Sequence, residues 1–512
     1  MGFTSILFGA SDDGWCGDQP SEPTCFADLN LDQVVALLTR GREGYGIEPF
    51  FYRTVTDADL IRYRQAVMRD VAKPAVFEAL TRFTATMRQH HRELGQAAAM
   101  SHPLQVQRWR LDAAARYRRA VSDLVSELNA LALESDGLAA FRTYLAAYAE
   151  SSAFLAQCRA MDAVYRALNE IEYSVLIDED SVEVRVPGGE ADLHSEIETA
   201  FGVLGAGSMA TAEAADRRDT LGVTMLEGQI LDCVADLFPE AFERLADFSR
   251  DYSDCLDATL ARFEREIQVY LAYRELMARL ETSGLPWCYP SLVSEKGALG
   301  VTGAYDLALA AKIAGTDEAV ITNDFRFDGN ERVLVISGPN QGGKTTFARS
   351  VGQLHYLAAL GLPVPAGEAT LLHVDDVFTH FDREEAIAEE QGRLAADLLR
   401  TRDILDRAGS TSLVILNELF QSTQAGDAAD LTARVLAALR QRDVLTVCVT
   451  FVDEVGTGDE AIVSMVSTRD AEASASADFR VVRRAPAGRA QADTLAARHG
   501  LTPRALARRL GE

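Results

Sequence analysis

Residues 338–345 read Gly-Pro-Asn-Gln-Gly-Gly-Lys-Thr and follow the apolar run Val333-Leu334-Val335-Ile336-Ser337. A glycine, four residues and then Gly-Lys-Thr is the spacing of a loop whose backbone N–H groups close around phosphate oxygens. The glycines permit the turn, and the helix expected to open at Lys344 adds partial positive charge. Lys344 has the reach for β- and γ-phosphates, and the Thr345 hydroxyl can ligate Mg²⁺. The candidate nucleotide-contacting residues are Gly338, Pro339, Asn340, Gln341, Gly342, Gly343, Lys344, Thr345 and Thr346. The other lysines are Lys73, Lys296 and Lys312, against dozens of arginines, which argues that this position needs a compact ammonium and not a planar guanidinium.

A second acidic element belongs with such a loop. The apolar stretch Thr411–Leu416 ends in Asn417-Glu418. An apolar strand ending in two acids normally holds a Mg²⁺-bound water with the first and polarises the attacking water with the second. Glu418 keeps the second role and is the candidate catalytic residue. Asn417 keeps a hydrogen-bonding oxygen in the outer shell of the metal but loses the charge, a change worth about 10–100-fold in metal affinity or activity. The competing reading makes this an ordinary core strand.

Positioning these groups takes a large scaffold. A chain of 512 residues exceeds one core and implies several domains. Its net charge of −27 disfavours indiscriminate coating of nucleic acid. Seven scattered cysteines without a close CxxC pair read as reduced thiols, although Cys16 and Cys25 are near each other. No signal peptide or membrane-length apolar run is evident, so a soluble cytoplasmic protein is expected.

Residues 1–54 read as an N-terminal arm or small cap, with a short amphipathic stretch from Leu31 to Leu38. From 55 to 283 apolar residues recur at three and four, giving long helices over Thr56–Leu94 (broken at Lys73-Pro74), Leu104–Leu133, Leu138–Ile171 and Phe238–Leu280. Within them, Tyr173–Val186 alternates around Asp178-Glu179-Asp180 and reads as a β-hairpin. Gly205–Gly207 and the stretch to Asp219 read as loop. From 284 to 512 short strands alternate with helices, the pattern of a largely parallel α/β sheet. The helix from Lys344 stops near Leu360, at Gly361 and Pro363.

The loop sequence resembles that of the MutS family of DNA mismatch-repair ATPases, which has the form Gly-Pro-Asn-x-Gly-Gly-Lys-Thr/Ser. Thr322-Asn323-Asp324, Leu362-Pro-Val-Pro-Ala366, Val377-Phe378-Thr379 and Asn417-Glu418 with Ser422-Thr423 and Asp427 are similar to further stretches of that family. Asp57–Phe83, with Arg64-Gln65-Ala66-Val67, looks like the start of its helical lever. The resemblance spans 55–512 and is strongest over 320–430. It implies a multidomain α and α/β protein, a long helical lever or clamp-like domain followed by a P-loop ABC-like ATPase domain. It also implies ATP and Mg²⁺ as cofactors and a homodimer whose nucleotide sites are completed by the partner's signature segment. Glu390-Gln391-Gly392-Arg393 matches that segment, with Gly392 where mismatch-repair members have Ser, and a plain helix start is an equal reading. Thr450-Phe451 stands where they have Thr-His. With Asn417, this predicts firm ATP binding and slow turnover.

The 50 or so residues before the lever are too few for the family's mismatch-reading domain, so mismatch recognition is not expected. Two functions stay open: a nucleotide-controlled dimer acting on DNA, or a switch or scaffold binding a protein partner and not DNA. Arg108-Trp109-Arg110 and Arg116-Tyr117-Arg118-Arg119 interleave cations with aromatics, as surfaces that track a DNA backbone and stack on bases do, or form a solvated helix face with Trp109 and Tyr117 buried. Arg480, Arg483, Arg484, Arg504, Arg508 and Arg509 form another basic concentration, whereas Asp178-Glu179-Asp180 is acidic.

Overall fold

The computed structural model describes residues 3–9, 20–178, 181–188, 224–252, 256–294, 297–339, 341–381, 390–450, 460–468 and 479–484. The readings of Cys16, Glu179-Asp180, Gly205–Asp219, Asn340, Phe451, Arg504, Arg508 and Arg509 lie outside these residues. The chain divides into two compact units.

One unit gathers Lys73–Leu133 and Leu138–Glu264. Its helices Pro74–Ala99 and Pro103–Ala130 each begin at a proline, which presets φ in the first turn where no N–H partner is needed. The expected single helix over Leu138–Ile171 is two, Asp136–Ala149 and Ser152–Asn169. Ser151 restarts it, its side chain accepting from the Phe154 N–H. Likewise the expected run Phe238–Leu280 is Pro239–Asp251 followed by Ala258–Glu281, whose first residues belong to this unit. Leu111, Ala114, Met161, Val164, Leu245 and Phe248 form a shared core of three of these helices. Phe141 stacks on Phe263. The hairpin is present as β1 (Ser174–Asp178) and β2 (Ser181–Arg185).

The other unit holds Thr4–Ala72 and Arg265 onward. Its described residues form two sheets. The smaller comprises β3 (Ser291–Val293), β4 (Leu299–Ala304), β5 (Asn323–Phe327) and β7 (Glu368–Leu372), ordered β3-β7-β4-β5. The larger comprises β6 (Val333–Ser337), β8 (Asp376–His380), β9 (Ser412–Asn417), β10 (Leu445–Val449), β11 (Ile462–Thr468) and β12 (Arg480–Arg483). Its order is β12-β11-β6-β10-β9-β8. All neighbours are parallel except β11 and β12. β6 and β10 are buried along their whole length, as a sheet covered on both faces requires.

Helix Lys344–Ala359 lies deep within this unit, with most of its residues buried. Residues 25–51 pack on it: Arg349 Nε donates to Asp28 O at 2.9 Å, Gln353 Nε2 to Leu29 O at 2.8 Å and Tyr356 OH to Phe51 O at 2.8 Å. Its C-terminal end is fixed by buried Arg64, which donates to Leu7 O at 2.7 Å and Leu360 O at 3.0 Å. Gly361, at φ 79°, lets Arg64 pass; a Cβ there would sit 2.8 Å from Arg64 Cβ.

Candidate functional site

The glycine-rich loop leaves the carboxyl end of β6 between β10 and β11. From β6 the chain next enters this sheet at the β8 edge and returns on β6's other side as β11, so the loop sits where strand order reverses. Crevices at such points are where open α/β sheets take ligands.

Gly338 has φ 131° and Gly343 φ 83°, conformations that a side chain rarely adopts. Space is restricted as well. A Cβ at Gly338 would lie 2.9 Å from both Cβ and O of Ser467, and one at Gly342 would collide with Ser467 Oγ. Ser467 Oγ in turn donates to Gly342 O. Phe479 stands behind Gly343, 3.2 Å from where its Cβ would be. Gln341 has φ 59° and is exposed, and Gly342 N donates to Pro339 O at 3.2 Å. Backbone amides rather than side chains therefore line this turn.

Lys344 is 4 % exposed. Its Nζ donates to Gly338 O at 2.9 Å and Pro339 O at 3.0 Å, so the ammonium lies inside the loop. Burial pushes its pKa below the ordinary lysine value, against the opposing pull of Glu418. Thr345 Oγ1 donates to Asn417 Oδ1 at 3.1 Å, joining the start of the helix to the end of β9. Thr346 is half-buried on the same turn. Glu418 has φ 56°, and its N–H donates to Val449 O at 2.9 Å. A left-handed non-glycine residue at a strand end is costly and needs support from its surroundings. Part of that support is Gln421 Nε2, which donates to Glu418 Oε2. Thr450 N donates to Ile336 O at 3.0 Å.

The structure thus brings Lys344, Thr345, Asn417 and Glu418 together. Gln421, Ser467 and Phe479 were not anticipated. Ser467 and Phe479 come from β11 and the approach to β12, more than 120 residues along the chain, and no local motif flags them. Asn323 and Asp324 work elsewhere: they accept from Val481 N and Gly303 N, both at 2.7 Å. They also line a cleft of about 950 Å³ together with Arg326, Glu368, Arg480 and Arg483. Helix Glu390–Arg407 begins at the segment matched to the signature, where Gly392 is exposed; the side chains of Glu390, Gln391 and Arg393 lie outside the described residues.

The cation–aromatic series on Pro103–Ala130 does not form an open basic surface. Tyr117 is fully buried. Arg108 pairs with Asp112, Arg116 with Glu93, Arg118 with Asp162 and Arg119 with Asp123. Arg483 pairs with Asp328 and Glu331.

The sheet and its loop at the switch point define the class: an α/β domain with a glycine-rich loop at the carboxyl end of a largely parallel sheet. Residues 334–493 match the sequence model of MutS domain V. Over 212 residues the chain is 32 % identical to "Endonuclease MutS2" of Lactococcus lactis subsp. lactis, covering 38 % of this chain and 27 % of that protein. It is 32 % identical over 165 residues to "DNA mismatch repair protein MutS" of Granulibacter bethesdensis, covering 32 % of this chain and 18 % of the relative. With "Endonuclease MutS2" of Thermus thermophilus, identity is 37 % over 124 residues, 24 % of this chain and 17 % of the relative. The C-terminal part of the chain is thus similar to domain V of MutS and to MutS and MutS2 proteins, and the matches span 17–27 % of these relatives' lengths. Among the described residues, no helix is long and apolar enough to cross a membrane.

Proposed function

We propose that this chain is a MutS-like ATPase, slow in turnover, whose nucleotide-controlled homodimer acts on DNA. The observation that carries the reading is the cradle itself: side-chain-free glycines against Ser467, a buried Lys344 ammonium, and Thr345 bonded to Asn417. These residues fit a triphosphate with Mg²⁺. The loop amides and Lys344 would hold the phosphates, and Thr345 with Asn417 would hold the metal. Held there, Mg²⁺ would supply positive charge to offset that of the phosphates. Glu418 orients the attacking water, with Gln421 fixing one of its carboxylate oxygens. Asn417 supplies an oxygen without charge, which weakens the metal's hold and slows the reaction. ATP binding with magnesium, measured by calorimetry, tests the reading; no affinity would end it.

A second reading is an ATP-dependent switch or scaffold that binds a protein partner and not DNA. The pairing of the arginines on Pro103–Ala130 with acids, and the net charge of −27, favour it. Retention of branched or duplex DNA that falls steeply with salt supports the first reading; no retention at low salt supports the second.

A further inference from the structure

Strands β1 and β2 form a two-stranded sheet. Such a sheet is marginal in water until further strands or a packed layer join it; the helix Met225–Leu237 lies against β2, whereas β1 pairs with no strand but β2 among the described residues. Its register pairs Val175 with Val184 and Ile177 with Val182, so these four aliphatic side chains share one face. Ile177 is 79 % exposed, and Val175 and Leu176 are each 38 % exposed. An apolar edge strand of this kind is a template for pairing with another strand.

The two edges of the hairpin are not equivalent. Asp178 and Ser181 pair across a gap of two residues, and a pair closing so short a turn exchanges both its hydrogen bonds. Alternation then directs the N–H and C=O groups of Ser174 and Leu176 toward β2. Those of Val175 and Ile177 point outward along β1, and those of Val182 and Val184 outward along β2. A second copy related by a two-fold axis can use both outward residues of β1 in a register centred on Leu176. Val175 then faces the second copy's Ile177, and Leu176 faces itself in the close, non-hydrogen-bonded position. The same operation on β2 centres on Glu183 and sets two carboxylates against each other, which is destabilising. β1 is self-complementary and β2 is guarded by charge.

We propose that two copies of this chain associate through β1, extending the hairpin into a four-stranded antiparallel sheet with Leu176 on the two-fold axis. The contact is independent of the nucleotide site.

The test uses the full chain without nucleotide, in parallel with the same chain carrying Lys344→Ala, so that a dimer formed through the nucleotide site is not mistaken for this one. With glutathione disulfide as oxidant, Leu176→Cys is expected to form an interchain disulfide above the level of the parent, and Glu183→Cys is not. Ile177→Lys, at an exposed position that does not threaten folding, is expected to weaken self-association in sedimentation by at least about tenfold. Any of four results overturns the proposal: a parent that is monomeric at its highest soluble concentration, no interchain bond at 176, an intrachain bond from 176 to a native cysteine, or equal cross-linking at 183.

Discussion

Thr345 Oγ1 donates to Asn417 Oδ1 across 3.1 Å, linking the first turn of the buried helix to the end of β9. The amide oxygen accepts the hydroxyl hydrogen bond as a carboxylate oxygen would, so the contact is kept while the charge is missing. Asn417→Asp therefore restores the charge without moving the backbone. ATP hydrolysis is expected to rise by about 10–100-fold, the usual worth of a charged partner behind a metal site. Phosphate release under saturating ATP and magnesium measures it, and an unchanged rate would show that Asn417 does not limit turnover.

Lys344 donates to the carbonyls of Gly338 and Pro339 from a buried position. Removing a charged donor loses about 1.5–3 kcal/mol for each hydrogen bond it makes to a phosphate. Lys344→Ala is expected to weaken ATP binding by about a hundredfold or more. Lys344→Arg is not expected to rescue it, because a planar guanidinium does not fit where a compact ammonium reaches between loop carbonyls. Calorimetric titration distinguishes the two, with near-ultraviolet circular dichroism as the folding control.

Ser467 lies so close to Gly342 that no Cβ fits between them. Gly342→Ala is expected to distort the loop, abolish ATP binding and lower stability by about 1–3 kcal/mol, the range for overpacking. Gly342→Ala with Ser467→Gly is expected to recover part of both losses. The recovery is partial because Pro339 O would still lie 3.0 Å from the new Cβ. Thermal melts and titration of the two variants check the coupling.

What the sequence revealed was short in range. The loop, the strand before it, the helix after it and Asn417-Glu418 each depend on neighbours in the chain, and the spacing of residue types carried them. Ser467 against Gly342, 125 residues apart, and residues 25–51 against helix Lys344–Ala359, more than 300 apart, depend on pairings that no periodicity encodes. The break at Ser151 had a local signal, a serine that can cap a helix, hidden inside apolar spacing that runs smoothly across it. The partition of strands between two sheets was equally silent, because nothing in the short, alternating β7 says which sheet it joins. The arginine series on Pro103–Ala130 was ambiguous for a related reason: Glu93 and Asp162 neutralise it from other helices.

Gly352 gives a case in which two opposing effects decide a sign. Glycine in a helix interior costs about 0.8–1.0 kcal/mol relative to alanine, so Gly352→Ala at an open position would stabilise. Here a Cβ would lie 2.6 Å from Leu29 Cδ2 and 2.7 Å from Ile415 Cδ1. Overpacking costs about 1–3 kcal/mol, which exceeds the propensity gain. A lower melting temperature is expected. An increase would show that Leu29 and Ile415 can yield.

Two of the buried histidines contribute to the response to acid. His355 is held neutral: burial pushes its pKa down to about 4, although Nδ1 lies 2.8 Å from Val351 O. His380 is pushed down to about 4 by burial and by the charge of Arg400. In the unfolded chain each imidazole takes up a proton near pH 6.5, whereas in the folded chain neither does so until about pH 4. Between those values the unfolded state binds more protons, so stability is complete above about pH 6.5 and falls as the pH drops toward 4. Each histidine contributes up to about 3 kcal/mol to that loss. His355→Leu removes one titrating group, and its urea unfolding free energy is expected to depend less steeply on pH across this window. An identical slope for parent and variant would mean that His355 is already protonated in the folded protein.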